Sequence, residues 1–445
     1  MARTKGCRLE AAEYGTKGKE RMKLAILTTF QEFNPGYSLT GIVKDQCRML
    51  LRHGHEVHLF VCEQYNPKYD ADLAEGVVLH KTVPFFHLFD YRTIKDITKE
   101  HRQDVTRIQN MLASELQGFD MAFTHDWVFV GWFMPHAMAI QRASMALPGL
   151  RWLHWIHSVP CTNSDWWDMG AYGQRHKMVA LTNTDRQRVA EQYRGTIADT
   201  RVIPHIKDIR SWYDFSEETC AFVDEFPGVM QADVVQIYPA SADRLEAKQV
   251  DKVVRIFSHM KKRGASVFLA CADQWATTKV PRQNEQRVLD LARAVDLTPQ
   301  EFTFTSRFQE PKFELGISKR FLRELQLCSN LFLFPTIQES WGLVGPEAAL
   351  SGAFVVLNRS LYNQGEIFNH FPMSFDFSSY HANFEPENWD DYLNAVAGVI
   401  VQRLKENESI RTKTFIRQTY NMDAIYSRYY EPIMQESQAW TEGAR

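Results

Sequence analysis

From Met22 onward the chain alternates short apolar runs with amphipathic stretches, and it does so in two series. "MKLAILTTF" is an apolar run, "GIVKDQCRMLLRHG" has helical spacing closed by Gly54, and "EVHLFV" is a second run of strand length. Apolar runs this short bury as strands, and the spaced pattern between them forms a helix capped by glycine. Strand, helix and strand within about 40 residues make a βαβ unit, because parallel neighbours need a crossover of that size. Further strand-like runs are "GVVLHKTV", "FDMAFTH", "LRWLHWIHS" and "KMVALT". The pattern restarts at "VVQIYPA", continues through the helix "QVDKVVRIFSHMKKRG", the strands "SVFLACA" and "FTFTS" and the helix "SKRFLRELQLCS", and reaches "LFLFP" and "AFVVLN". A long, charged, helical region ends the chain.

At 445 residues, two domains are expected from the usual domain size of about 100–200 residues. The segment "RVIPHIKDIRSWYDFSEETCAFVDEFPGVMQAD" has two prolines and no clear periodicity, as an interdomain connection would. The expected division is a loose extension over 1–21, an N-terminal domain over 22–205, a C-terminal domain over 206–415 and a returning C-terminal helix over 416–445. A net charge of −3 with mixed signs gives no global field for nucleic acid or an anionic membrane, although a local basic cleft remains compatible with it. The seven cysteines, Cys7, Cys47, Cys62, Cys161, Cys220, Cys271 and Cys328, contain no C-x-x-C pair, which fits a reduced, cytoplasmic chain. No signal-peptide pattern opens the sequence, and no uncharged apolar run reaches the roughly 18 residues of a membrane span.

The stretch "PTIQESWGLVGPEAALSG", Pro335 to Gly352, places two carboxylates, Glu339 and Glu347, on either side of a loop that follows the strand "LFLFP". Glu339 falls at the carboxyl edge of a sheet, where side chains face ligands. Pro346 fits the first position of a helix, so Glu347 falls in its first turn. A carboxylate there can simply offset the helix dipole. The usual nucleotide fingerprints are missing: there is no G-x-G-x-x-G after the first strand and no G-x-x-x-x-G-K-[ST]. One D-x-D occurs, Asp70-Ala71-Asp72, a pattern short enough to arise by chance.

The segment "GLVGPEAALSGAFVVLN", with Glu339 and "FPT" before it, resembles the signature of the retaining GT-B glycosyltransferases of family 4, in which two glutamates flank seven residues. "GHEVHLFV" is similar to that family's first helix end and second strand, "YPASADRLEAKQVDKVVRIF" to its phosphate segment, and "ALTNTDRQRVAEQY" to another strand and helix. The resemblance implies an α/β GT-B fold, two Rossmann-like domains facing each other across an interdomain cleft, and metal-independent transfer of a sugar, without a cofactor, from a UDP-linked nucleotide-sugar to an acceptor hydroxyl. It implies Glu339 on the transferred sugar and Glu347 on the ribose, with Gly342, Leu343 and Val344 lining the donor. Arg244 and Lys248 would hold the diphosphate; their alternative is a solvated pair, with Lys248 bridged to Glu246 or Asp251. A metal-free diphosphate site needs such positive charge.

In the first domain, His157 matches the family's active-site histidine, and His125, which ends the strand before it, is expected beside the acceptor. The family's glycine pair after the first strand is replaced by "FNPGYSLTG", leaving Gly36 as the closest counterpart near the donor and Tyr37 beside the acceptor. A second departure is "IPHIKD", where the family has Asn-Gly. Of the tryptophans Trp127, Trp132, Trp152, Trp155, Trp166 and Trp167, most are expected in the core, whereas Trp166 and Trp167 lie in a polar stretch suited to stacking on an acceptor. "PFFHLFDYR" fits either a membrane-facing lip or loop packing. The acceptor stays open among saccharide, lipid-linked and modified nucleic-acid hydroxyls. Two other readings are a glycosyltransferase acting on hydroxymethylated bases in DNA and a non-catalytic nucleotide-sugar-binding module.

Overall fold

The computed structural model describes residues 21–84, 94–125, 127–128, 133–157, 168–436 and 440. Contacts divide the chain into two compact units, residues 1–208 with 422–445, and residues 209–421.

The first unit is built on seven parallel strands: β1 (Lys23–Leu27), β2 (Glu56–Cys62), β3 (Val78–Val83), β4 (Met121–His125), β5 (Arg151–Trp155), β6 (His176–Ala180) and β7 (Thr200–Val202). Their order is β3-β2-β1-β4-β5-β6-β7, so the winding direction reverses between β1 and β4. A sheet wound this way binds ligands beyond the carboxyl ends of its strands, near that reversal. The crossovers include α1 (Ser38–Arg52), α2 (Lys99–Glu115), α3 (Met134–Ala146) and α4 (Asn183–Gln192). Leu24, Ala25, Ile26 and Leu27 of β1 are all fully buried, because helices cover both faces of a parallel sheet and leave no polar alternation. Helix α1 buries Leu39, Val43, Cys47 and Leu50, a stripe of helical spacing. Gly54 follows it at φ +85°, the left-handed turn that stops a helix.

The second unit opens with three short helices, α5 (Ile209–Trp212), α6 (Glu217–Glu225) and α7 (Gly228–Gln231). The stretch expected as a featureless connection is therefore largely structured: Phe222, Val223 and Phe226 pack with Phe268 and Phe308 in one buried cluster. Helices of four to nine residues span too few turns to show a period in sequence.

Strand β8 (Val234–Ser241) follows, then α8 (Val250–Lys262), β9 (Val267–Gln274), α9 (Lys279–Ala294), β10 (Phe302–Phe304), α10 (Lys319–Cys328), β11 (Leu331–Phe334), α11 (Val344–Leu350), β12 (Phe354–Asn358), α12 (Tyr362–Ile367), β13 (Met373–Phe375), α13 (Trp389–Glu406) and α14 (Glu408–Thr419). Backbone pairing makes two three-stranded parallel sheets, β10-β9-β8 and β11-β12-β13. Side chains join them. The Gln236 amide donates to Leu333 O and accepts from Leu333 N, both at 2.9 Å, while Asn330 Oδ1 accepts from Val235 N at 2.9 Å. Asn330 N in turn donates to Val235 O at 3.1 Å. The six strands thus run in the order β10-β9-β8-β11-β12-β13, again reversing at the first strand of the series. Gln236 is wholly buried, and its two backbone bonds satisfy it there.

The chain returns to the first unit from Met422, where Tyr426 donates to or accepts from His55 Nε2 at 2.7 Å and stacks on His53 with centroids 3.6 Å apart. Trp127, Trp152 and Trp155 are buried in the first unit. Trp132, Trp166 and Trp167 lie outside the described residues, as do residues 1–20 of the N-terminal extension and all of "PFFHLFDYR" after Pro84. Among the described residues no helix is long and apolar enough to cross a membrane.

Candidate active site

In the second unit, the loop after β8 and the loop after β11 are tied together at their backbones. Ala247 O accepts from Ile337 N at 3.0 Å and from Thr336 Oγ1 at 3.2 Å, and Asn358 Nδ2 holds Thr336 O at 3.0 Å. This junction brings Lys248 to Glu339, Nζ to Oε2 at 2.5 Å. The expected alternative partners of Lys248 are not used: Glu246 sits 4.0 Å from Arg287 instead. Lys248 is buried and its ammonium lies 5.1 Å from the centroid of the Phe334 ring, a position that suits a cation with little water around it. Arg244 stands one turn earlier, with its O accepting from Lys248 N at 3.0 Å. Its side chain is exposed and has no partner among the described residues. One paired and one unpaired cation thus occupy the carboxyl edge of β8.

The Glu339 loop is fixed from behind. Asn363 Nδ2 on α12 donates to Glu339 O at 2.6 Å and to Ser340 O at 2.7 Å, and Ser340 N donates to Glu339 Oε1 at 3.2 Å. Gly342 turns the chain at φ +73°, and a Cβ there would stand 2.9 Å from Glu339 Cγ. Only glycine meets both demands. Trp341 and Leu343 are exposed beside it, and Val344 is half-buried.

Helix α11 begins at Val344, so Pro346 takes its third position and not the first. Gly342 allows the earlier start, with Gly345 N already bonded to Gly342 O at 3.0 Å, and a proline anywhere in the first turn forfeits no intrahelical bond. Glu347 Oε1 receives Lys319 Nζ at 3.0 Å, whereas its Oε2 is buried and accepts from no group among the described residues. A ligand hydroxyl would satisfy that oxygen.

In the first unit, His125 ends β4 and His157 lies two residues beyond β5. His125 Nδ1 is 3.0 Å from His157 Nε2, and His125 Nε2 is 2.9 Å from Gln46 Oε1 on α1. Gln46 Nε2 continues the chain to the Tyr430 hydroxyl at 2.8 Å. His205 adds a third ring, stacked on His157 with centroids 5.3 Å apart and planes 17° apart. Burial pushes His157 and His205 down to about 4, and burial followed by the neighbouring imidazoles holds His125 well below the ordinary histidine range. The row is neutral at physiological pH. Nδ1 of His157 and Nδ1 of His205 have no partner among the described residues. Sequence reasoning did not single out His205; its signal was the departure "IPHIKD".

Gly36 N donates to Asn34 Oδ1 at 2.8 Å, and Tyr37 takes the residue position just before α1, 47% exposed and without a side-chain capping bond. The D-x-D carboxylates are engaged separately, Asp70 by the Tyr65 hydroxyl and Asp72 by Lys44.

No family model matches the chain, and no curated protein matches it. Among solved structures it is similar to a glycosyltransferase from Rickettsia africae, at 11% identity over 94% of this chain and 99% of that one, with a TM-score of 0.36. It is similar to Anabaena Alr3699/HepE in complex with UDP and glucose, at 12% identity over 93% and 100% of the two chains, TM-score 0.33. It is also similar to WaaG, a glycosyltransferase involved in lipopolysaccharide biosynthesis, at 15% identity over 93% and 100%, TM-score 0.31.

Proposed function

We propose that this chain is a retaining, metal-independent glycosyltransferase that moves a sugar from a UDP-linked nucleotide-sugar to an acceptor hydroxyl. The observation that carries the reading is the meeting of Lys248 and Glu339 at 2.5 Å, beside the unpaired Arg244, at the carboxyl edge of a doubly wound sheet. Arg244 and Lys248 would neutralise the diphosphate, which must leave with two negative charges, and so supply the compensation a metal would otherwise give. Glu347, with a buried unpaired oxygen, would accept from the ribose. Glu339 would accept from hydroxyls of the transferred sugar, and the Gly342, Leu343 and Val344 backbone would line that end.

In the first unit, the neutral His157, whose Nε2 donates to His125 Nδ1, would accept a hydrogen bond from a hydroxyl of the transferred sugar at its unpartnered Nδ1, without adding charge. His125 orients it, Gly36 approaches the donor, and Tyr37, Trp166 and Trp167 would contact the acceptor. Transfer on one face of the sugar needs no protein nucleophile: the departing phosphate takes the acceptor's proton as the new glycosidic bond forms. Positioning and electrostatics then supply the rate.

A thermal-shift screen of nucleotide-sugars tests the reading, since a ligand at about 100 times its dissociation constant stabilises a fold by roughly 2.7 kcal/mol. The expected result is one clear stabiliser, with transfer activity that survives EDTA. A screen in which no nucleotide-sugar stabilises the protein would overturn the proposal.

A further inference from the structure

Resting on the donor site just proposed, we infer that Glu339 also sets specificity, by making the site prefer a sugar-bearing diphosphate over a bare one. Lys248 cannot serve two anions at full strength. Its ammonium is held by Glu339 at 2.5 Å, with the lysine and glutamate side chains only 9% and 19% exposed. The glutamate is the fixed member of the pair. Asn363 pins its carbonyl and that of Ser340, Ser340 N pins Oε1, and Gly342 packs against its Cγ. The lysine reaches that carboxylate on a four-carbon stem with freely rotating bonds, its ammonium 5.1 Å from the centroid of the Phe334 ring.

An arriving diphosphate therefore draws Lys248 away and strands a largely buried carboxylate next to new negative charge. That loss is large for a desolvated group. A ligand carrying hydroxyls beside the diphosphate repairs it, because those hydroxyls donate to the freed Glu339. A bare nucleoside diphosphate has nothing to offer there. Arg244, exposed and unpaired, takes part in no such exchange and attracts both ligands alike. Once the sugar has been transferred, Glu339 recaptures Lys248 and weakens the hold on the spent diphosphate. The ion pair thus favours donor entry over product retention.

The test is calorimetry with uridine, adenosine and guanosine diphosphates and with the sugar-linked form of whichever binds, on the wild type, Glu339→Gln, Lys248→Met and the double variant. Glu339→Gln keeps the shape and removes the competing charge. It should tighten the bare diphosphate by roughly tenfold, the scale of one charge-assisted hydrogen bond, while weakening the sugar-linked form. Lys248→Met should weaken both, and adding Glu339→Gln to it should restore nothing for the bare diphosphate. If Glu339→Gln leaves the bare diphosphate unchanged or weaker while Lys248→Met still weakens it, the exchange is refuted and the diphosphate site stands. If no nucleoside diphosphate binds the wild type, the donor-site reading falls and this inference with it. Thermal unfolding of each variant separates these outcomes from a damaged fold.

Discussion

His125 and His157 are joined edge to edge across the ends of two neighbouring strands, Nδ1 to Nε2 at 3.0 Å, with ring centroids 5.2 Å apart and planes 21° apart. His125 is itself held by Gln46, and Gln46 by Tyr430, so the orientation of His157 is set by three elements other than its own loop. His125→Phe keeps a ring in place and removes the bond. Turnover is expected to fall about tenfold, as for one lost hydrogen bond of about 1–1.5 kcal/mol, with nucleoside diphosphate binding unchanged. Steady-state kinetics beside calorimetry checks this, and equal losses in both would mean a collapsed site.

Arg244 and Lys248 should separate in their effects on stability. Arg244→Ala removes an exposed, unpaired cation, so the melting temperature should hold while uridine diphosphate binding weakens roughly 10- to 100-fold. Lys248→Ala strands the Glu339 carboxylate and should lower the melting temperature as well. Binding of uridine, which lacks the phosphates, should barely change in the Arg244 variant; a matching loss there would discount the charge argument.

Gly342→Ala forces a left-handed backbone onto a residue with a Cβ, 2.9 Å from Glu339 Cγ. The expected destabilisation is about 1–3 kcal/mol, accompanied by lost turnover as Glu339 is displaced. Chemical denaturation measures the first part. A variant as stable and active as the wild type would show that the turn is not needed.

Acid should destabilise the first unit. Burial holds His136 and His157 at about 4 and His154 at about 3, below the ordinary value of 6.5. The unfolded chain then binds more protons than the folded one between those limits, so this stability is complete above about pH 6.5 and is lost as pH falls toward about 4. Melting temperatures at about pH 7.5 and about pH 5 should differ accordingly. Flat behaviour over that interval would mean that these imidazoles are hydrated.

Asp273 in the second unit works in the opposite direction. Its carboxyl is raised by burial first and then by its hydrogen bond to Glu285, a side chain that also meets Arg282 at 3.2 Å and Arg307 at 2.9 Å. The folded state keeps a proton that the unfolded chain has released, so the stability it contributes is present at low pH and lost as pH rises through the folded value. Asp273→Asn mimics the protonated form. It should raise the melting temperature most at about pH 8 and by a smaller amount at about pH 5; the same shift at both would point to packing instead.

Strands β1 to β6 and β8 to β12 were legible as short apolar runs, and α1, α8 and α10 as amphipathic stretches between them, because burial leaves a local pattern in sequence. Strands β7 and β13, three residues each, and α5 to α7 are too short to leave one. The positions of Arg244, Lys248, Glu339 and Glu347 at strand ends and in a helix's first turn were legible for the same local reason.

What tertiary structure alone decided is who meets whom. Lys248 and Glu339 are 91 residues apart, and their pairing depends on the backbone bonds that tie two loops at Ala247. Gln236 and Asn330 look like ordinary polar interruptions of apolar runs, yet they join two half-sheets, a role that exists only once β8 and β11 lie side by side. The histidine row spans the ends of β4 and β5 and the chain beyond β7, and the departure "IPHIKD" by itself does not say that His205 meets His157. Sequence periodicity records which face of an element is buried; strand order and loop geometry, set by packing among distant elements, determine which side chains then share a site.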